Sequence, residues 1–138
     1  KTVFRELENE GVYLPGILLK PNMVISGSEC KVQGDMMKVA DMTVKCLTES
    51  VPAEVPGIVF LSGGQSEVEA TEHLNAMNKM GDHPWALSFS YGRALQQSAL
   101  KTWNGQKDNL ESTYAVFHHR AEMNSLACSG EYSSSLEI

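Results

Sequence analysis

Lys20 is the residue of this sequence whose setting most favours covalent chemistry. It directly follows the apolar run Gly16–Leu19 and precedes Pro21, so its amine is held close to the end of a predicted buried strand. Burial disfavours the ammonium form of a lysine, and a neutral amine is the nucleophile that forms an imine with a carbonyl compound. The alternative is a lysine whose stem packs on apolar surface while its head reaches water or an ion pair.

A second candidate is an anion site formed by two strand-to-helix turns. Ser62–Gly64 precedes a predicted helix, where glycines let the backbone approach a phosphate and the helix start supplies free N–H groups. Arg93 begins the next predicted helix, after Ser90–Gly92, and could add a fixed cation to the same phosphate. No Gly-Lys-Ser/Thr follows, so this is not a Walker A loop. The alternatives are an ordinary tight turn and an exposed helix-start arginine.

These residues are positioned by apolar patterns that alternate between strand and helix. Three continuous apolar runs predict strands buried on both faces, as in parallel sheets: Gly16–Leu19, Gly57–Leu61 and Trp85–Ser90. Five stretches of helical spacing predict helices: Lys1–Asn9, a helix capped by Asp35 that runs to about Thr48, Glu67–Met80, Arg93–Trp103 and Asp108–Ala127. Ser66 and Glu69 have capping-box spacing. The last residues, Ser133–Ile138, are predicted to be a loose tail.

The apolar stripes also predict which helix faces are buried. In the second helix the stripe is Met37, Ala40, Val44 and Leu47, with Met36, Val39 and Thr43 beside it, and in the last helix it is Leu110, Tyr114, Phe117 and Ala121. The histidines of the predicted helices, His73, His118 and His119, are interpreted as solvated or as ordinary packing residues. Glu67 and Glu69 are interpreted as charges at a helix start, where the helix dipole favours them.

Counting by twos along each strand predicts which side chains share a face. The resulting sets are Gly16, Leu18 and Lys20; Ile58, Phe60 and Ser62; and Ala86, Ser88 and Ser90. Each strand thus offers a polar residue at its carboxyl end, where ligands bind in parallel α/β folds. The three sets could belong to one common face of the sheet.

Composition excludes several classes of function. The 138 residues carry a formal charge of −6, with only 11 Lys and Arg, which disfavours nucleic-acid binding and an anionic membrane surface. No apolar run approaches the roughly 20 residues of a membrane-spanning helix. The three cysteines, Cys30, Cys46 and Cys128, lack the spacing of metal ligands, and no His/Asp/Glu pair has zinc spacing, so we expect no metal. An odd number of cysteines is a poor disulfide framework, so we expect a reducing cytosol.

Strands that alternate with helices at this spacing predict βαβ units and an α/β fold with a parallel sheet. Three strands would leave two open edges, which we expect at the first and third strands. This pattern predicts a portion of a larger α/β domain, and the rival is a small complete three-layer domain.

Three long segments resemble class I fructose-bisphosphate aldolases: Leu18–Val24 (LLKPNMV), Phe60–Glu67 (FLSGGQSE) and Ser88–Gln96 (SFSYGRALQ). Shorter segments that resemble the same family are Asn75–Asn78, Trp85–Leu87 and Ala121–Ala127. The resemblance covers residues 10 to 132 in the right order. It implies that residues 1–138 are the C-terminal segment of a single barrel domain, about the last three βα units of a (β/α)8 TIM barrel plus C-terminal helices.

The resemblance also implies a function. Members of this family are cytoplasmic, commonly homotetrameric glycolytic and gluconeogenic lyases, which cleave fructose 1,6-bisphosphate into dihydroxyacetone phosphate and glyceraldehyde 3-phosphate without a metal or other cofactor. It implies that Lys20 is the Schiff-base lysine and that the substrate phosphate is held by Ser62, Gly63, Gly64, Ser90, Gly92 and Arg93. No motif here supplies the carboxylate base, so the alternative is a catalytically incomplete fragment that acts as a phosphate-binding or scaffolding module.

Overall fold

A computed structural model describes residues 1–137 of the chain, in which strands and helices alternate. The three strands are β1 (Leu18–Leu19), β2 (Gly57–Phe60) and β3 (Ala86–Phe89). The five α-helices are α1 (Thr2–Asn9), α2 (Met36–Ser50), α3 (Glu67–Lys79), α4 (Arg93–Trp103) and α5 (Leu110–Cys128). Short 3-10 helices occur at Leu14–Gly16, Lys107–Asn109 and Ser134–Leu136. The predicted order of elements is therefore confirmed.

The strands form one parallel sheet in the order β1-β2-β3. Leu18 is paired with Gly57, and Gly57 with Ala86, so the three strands are in a continuous register. β1 and β3 are the edge strands of this sheet within residues 1–137. The predicted parallel sheet and its two edges are therefore confirmed.

The core lies between the sheet and the helices, with α3 at its centre. Ile58 and Phe60 of β2 are fully buried, as are Leu74 and Met77 of α3. Ser66 caps α3, because its hydroxyl accepts from the Glu69 backbone N–H (3.2 Å) while the Glu69 carboxylate accepts from the Ser66 backbone N–H (2.8 Å). The predicted capping box is thus confirmed, and it fixes where the chain turns from β2 into α3.

The first strand differs from its prediction. Gly16 belongs to a 3-10 helix rather than to β1, and the Leu18 side chain is 62% exposed. The expectation of a strand buried on both faces is wrong, because the face of β1 that carries Leu18 and Lys20 is not covered by any element within residues 1–137. The apolar run still marks the strand correctly, since Leu18 and Leu19 pair with β2.

Two predicted helix faces are shifted around the helix axis. In α2, Met37 is exposed, and the buried residues are Val39, Ala40, Thr43 and Leu47. In α5 the predicted stripe is wrong, because Leu110, Tyr114 and Phe117 are exposed and the buried residues are Arg120, Met123, Asn124 and Ala127. The buried face of α5 carries polar side chains that bond to α3, a contact that apolar spacing alone does not reveal.

The predicted loose tail is packed against α5 as far as the structure describes it. Both carboxylate oxygens of Glu137 accept hydrogen bonds from Arg120 Nη1 (2.6 Å each), and Glu137 Oε1 also accepts from the Tyr132 hydroxyl (2.9 Å). Arg120 is almost fully buried, so its charge needs a partner. The prediction is wrong up to residue 137, and Ile138 lies outside the described residues.

Three further features bear on function. None of the helices within residues 1–137 is both long enough and apolar enough to cross a membrane. That same part of the chain contains no group of three or more His, Cys, Asp or Glu side chains arranged to hold a metal ion. Cys30, Cys46 and Cys128 are free thiols.

Candidate active site

The carboxyl ends of the three strands lie side by side. Backbone hydrogen bonds continue the sheet beyond its strands, from Leu61 N to Pro21 O (3.0 Å) and from Ser90 N to Phe60 O (2.8 Å). These bonds fix the residues that follow each strand relative to the next strand. The structure therefore brings the end of β1, with Lys20, next to the loops that lead into α3 and α4.

Lys20 and Ser90 meet at this edge. The Lys20 amine Nζ donates a hydrogen bond to the Ser90 hydroxyl over 3.0 Å. The register explains the contact: Leu18 pairs with Gly57 and Gly57 with Ala86, and paired residues of a parallel sheet project to the same side. Lys20 lies two residues beyond Leu18 and Ser90 lies four residues beyond Ala86, so both have the parity of that side. Their predicted common face is confirmed.

Ser62 does not share that face. It has the parity of Ile58 and Phe60, which pair with Leu87 and Phe89 and project to the opposite, fully buried side of β2. The prediction of one face common to the three strand-end polar residues, Lys20, Ser62 and Ser90, is therefore wrong for Ser62. Ser62 is buried, and its carbonyl accepts from the Gln65 backbone N–H (3.2 Å), which closes the turn that contains Gly63 and Gly64.

Lys20 is exposed in residues 1–137. The expected partial burial of its amine is wrong for this part of the chain, because β1 is an edge strand and nothing packs on its free side. Ser90 is the one side chain within residues 1–137 that bonds to the amine, and no carboxylate of that part lies within ion-pair distance. The amine is thus accessible, and the two turns beside it are its polar surroundings.

The two glycines of the Ser62–Gly64 turn lie so close to neighbouring apolar side chains that a Cβ at either position would displace them. Gly64 has a φ of +79°, and a Cβ there would lie 2.8 Å from Ile25 Cδ1. A Cβ at Gly63 would lie 3.0 Å from Leu61 Cδ1. Within residues 1–137, the backbone N–H groups of Gly63 and Gly64 donate no hydrogen bond, so they are available to an anion at the start of α3.

The second turn ends at the start of α4. Gly92 is the residue before the helix, no side chain of the described chain caps it, and its carbonyl accepts from Leu95 and Gln96. Arg93 is the first helical residue, as predicted, and its side chain is exposed and makes no ion pair within residues 1–137. An open cleft of about 540 Å³ runs from Gly92 and Arg93 along α4 to Lys101. The guanidinium is therefore free to bind an anion.

Three polar contacts behind these turns were not predicted. His73 Nδ1 bonds to Gln65 Oε1 (2.7 Å), the Tyr91 hydroxyl donates to the Ala70 carbonyl (2.9 Å), and the Glu67 carboxylate accepts from Ser98. From the sequence, Glu67 is interpreted only as a charge at a helix start and His73 as a solvated or packing residue, so neither of them is assigned a hydrogen-bond partner. The position of Tyr91 between Ser90 and Gly92 was the signal available in the sequence, but its partner on α3 is 21 residues away along the chain.

Burial controls the protonation of two of these groups. Desolvation lowers the pKa of His73 below its ordinary value of 6.5, and the nearby Glu69 carboxylate opposes this only in part. Desolvation also raises the pKa of Tyr91 far above its ordinary value. At neutral pH, Tyr91 therefore donates its hydroxyl proton to Ala70, and His73 is neutral with its Nδ1 proton shared with Gln65.

Comparison with known proteins gives one consistent result. The Glycolytic family model, described as fructose-bisphosphate aldolase class-I, matches residues 1–137. Fructose-bisphosphate aldolase of Plasmodium falciparum (isolate K1 / Thailand) is 54% identical over 130 residues, which is 94% of this chain and 36% of that protein. Fructose-bisphosphate aldolase of Dictyostelium discoideum is 50% identical over 94% of this chain and 36% of its own length. Fructose-bisphosphate aldolase C of Pan troglodytes is 52% identical over 98% of this chain and 37% of its own length.

A solved structure agrees with these relatives. The fructose-bisphosphate aldolase from Plasmodium falciparum, crystallised in complex with TRAP and a small molecule inhibitor, matches with a TM-score of 0.93 and 53% identity. The match covers 96% of this chain and 38% of that one. The chain thus spans little more than a third of the relatives that it matches. The predicted fold class, about three βα units of a (β/α)8 barrel plus the helices that follow, is confirmed.

The close approach at Gly64 can be tested against a matched glycine. Gly11 has a similar positive φ of +69°, but a Cβ there would contact nothing within 4 Å. Gly11→Ala should lower the free energy of unfolding by about 1–2 kcal/mol through backbone strain. Gly64→Ala should cost about 1 kcal/mol more, because its Cβ would displace the end of the Ile25 side chain. Urea unfolding of the two variants measures the difference, and equal losses would contradict the close approach.

The lowered pKa of His73 predicts a pH dependence of stability. The unfolded chain takes up a proton near pH 6.5, whereas the folded chain does so only at lower pH, so the free energy of unfolding should fall as the pH drops below 6.5. His73→Gln, which stays neutral and can still donate to Gln65, should reduce this slope. The exposed His118 provides the control, since His118→Gln should leave it unchanged. Urea unfolding between pH 7 and pH 5 would contradict the prediction if His73→Gln kept the full slope.

Proposed function

This chain belongs to the class I fructose-bisphosphate aldolase family, and from this premise we propose that it carries the imine-forming lysine and the phosphate site of a glycolytic and gluconeogenic aldolase. The reaction is the reversible cleavage of fructose 1,6-bisphosphate into dihydroxyacetone phosphate and glyceraldehyde 3-phosphate. The observation that supports it best is the contact of Lys20 Nζ with Ser90 Oγ (3.0 Å) beside the two glycine-containing turns. An accessible amine next to unpaired backbone donors suits a substrate with both a ketone and a phosphate.

In this proposal the Lys20 amine is the nucleophile. It attacks the ketone carbon of the substrate, and loss of the carbonyl oxygen as water leaves an imine. The protonated imine then accepts the electron pair of the breaking C3–C4 bond, while a base removes the proton of the C4 hydroxyl. Ser90 accepts a hydrogen bond from the amine before the reaction. Its role is to direct the nitrogen towards the carbonyl carbon.

The phosphate of the dihydroxyacetone phosphate half is held by the two turns. The free backbone N–H groups of Gly63 and Gly64 lie before α3, and the exposed Arg93 guanidinium begins α4. Ser62, Ser90 and Gly92 complete the proposed set. Binding of a remote phosphate fixes the ketone against Lys20, which converts binding energy into orientation at the reacting carbon. No metal or other cofactor is required for this chemistry.

The carboxylate base of the cleavage step is proposed to come from elsewhere in the barrel. No carboxylate within residues 1–137 lies within ion-pair distance of Lys20, and the chain spans about a third of its relatives. Residues 1–138 are accordingly proposed to be one segment of a single barrel domain. A cytoplasmic location and a homotetramer are further predictions of the family resemblance.

A second candidate function is that of a phosphate-binding or scaffolding module that is catalytically incomplete. The exposure of Lys20 at an open sheet edge favours it, because an imine that is open to water is readily hydrolysed. The two candidates differ in one observable. The module would bind phosphate without forming an imine, whereas the aldolase would bind phosphate and also form an imine.

Borohydride trapping tests the proposed lysine. In the full-length chain, reduction in the presence of dihydroxyacetone phosphate should add one covalent adduct, which peptide mass mapping should place on Lys20. Lys20→Ala should remove the adduct completely, because no other amine within residues 1–137 contacts Ser90. The exposed Lys38, on α2, provides the control, and Lys38→Ala should retain full trapping. An undiminished adduct in Lys20→Ala would refute the assignment.

A further inference from the structure

The first two turns of α3 are joined by two polar contacts to the turn before α4 and to the middle of α4, and we call these contacts the α3–α4 brace. One is the hydrogen bond from the Tyr91 hydroxyl to the Ala70 carbonyl (2.9 Å). The other joins the Glu67 carboxylate to Ser98, whose backbone N–H donates over 2.9 Å and whose hydroxyl donates to the second oxygen. These two helices begin directly after the turns proposed to bind phosphate, so the brace connects the two halves of that site.

Tyr91 is fixed at both ends. Its backbone lies between Ser90 and Gly92, while its ring is 5% exposed and packs on Phe89 with ring centroids 5.5 Å apart. Its hydroxyl reaches Ala70, four residues after the residue that caps α3. Movement of the β3–α4 turn relative to α3 therefore has to break a buried hydrogen bond or displace a buried ring.

Glu67 places a carboxylate at the start of α3, the helix that follows the proposed anion-binding turn. A free carboxylate on the first residue of this helix would repel an anion bound at the preceding turn. In the structure both carboxylate oxygens are occupied by Ser98 of α4. The negative charge is thereby held towards α4, while the N–H groups of Gly63 and Gly64 stay available.

The brace has support from a third helix. Arg120 of α5 donates to the Glu67 carbonyl (3.2 Å) and to the Thr71 hydroxyl (2.6 Å), and its side chain is 5% exposed. The backbone of the first α3 turn is thus held on one side by α5, while the Glu67 side chain is held by α4. Such a doubly supported segment is suited to keeping two loops at a fixed separation.

We propose that Tyr91 and Glu67 are positioning residues, which set the distance between the Ser62–Gly64 and Gly92–Arg93 turns so that both contact one phosphate. This inference rests on the proposed phosphate site. Neither residue touches the substrate. Their effect is specific to phosphorylated ligands, because Ser90 is also held by its backbone hydrogen bond to Phe60 (2.8 Å), which keeps the Lys20–Ser90 contact in place without the brace.

Borohydride trapping with two ketones provides the test. In the full-length chain, the half-saturating concentration is measured for dihydroxyacetone phosphate and for dihydroxyacetone, which lacks the phosphate. Tyr91→Phe and Ser98→Ala should raise the value for the phosphorylated ketone about threefold to tenfold, as expected for the loss of one hydrogen bond. The value for dihydroxyacetone should not change. Glu67→Gln, which keeps one acceptor oxygen, should have a smaller effect than Glu67→Ala.

Thr48→Val is the control, since it also removes one hydroxyl hydrogen bond to a backbone carbonyl, that of Val44 (2.9 Å), on α2 and outside the brace. It should leave both values unchanged. An unchanged value for dihydroxyacetone phosphate in Tyr91→Phe and Ser98→Ala, or an equal rise for both ketones, would overturn the brace. If the unmodified protein trapped neither ketone, the proposed reaction would fail. In that case the affinity for inorganic phosphate, measured by calorimetry, would test the brace separately. The proposal predicts weaker phosphate binding in Tyr91→Phe and Ser98→Ala, and unchanged binding would overturn it.

Discussion

The register of three parallel strands is the constraint on which the candidate site depends. Because Leu18, Gly57 and Ala86 are paired across the sheet, the residues directly after the two outer strands, Lys20 and Ser90, project to one side, and Lys20 Nζ comes within 3.0 Å of Ser90 Oγ. A slip of one residue in either pairing would send one of these side chains to the opposite face. The chemistry proposed for Lys20 is therefore set by backbone hydrogen bonds rather than by contacts of the lysine stem.

The start of α3 is the second organising element. Its backbone N–H groups are shared between an internal capping box, formed by Ser66 and Glu69, and the free donors of Gly63 and Gly64. Arg120 fixes the same segment from α5 and also binds Glu137. Burial would raise the pKa of the Glu137 carboxyl, but the hydrogen bonds from Arg120 and Tyr132 lower it below its ordinary value. The Glu137 carboxylate therefore stays ionised at neutral pH, and its bonds to Arg120 hold the last described residues on α5.

Local signals in the sequence predicted most of the elements, because each has a short-range cause. The capping spacing of Ser66 and Glu69 located the start of α3, and the apolar run at Gly57 located β2. The face assignments failed where the cause is long-range. Ser62 and Ser90 project to opposite faces of the sheet, because parity within a strand does not determine the register between strands. Leu18 is exposed because no element within residues 1–137 covers its face of β1. The polar face of α5 depends on partners 49 to 53 residues away.

The account is tested most directly by a crystal structure of the full-length chain after borohydride reduction with dihydroxyacetone phosphate. It predicts a single covalent bond between Lys20 Nζ and the former ketone carbon. The phosphate should lie between the two turns, within hydrogen-bond distance of the Gly63 and Gly64 amides and of the Arg93 guanidinium. An adduct on another lysine, or a phosphate directed away from both turns, would contradict the claim that the strand register builds one site for amine and phosphate together.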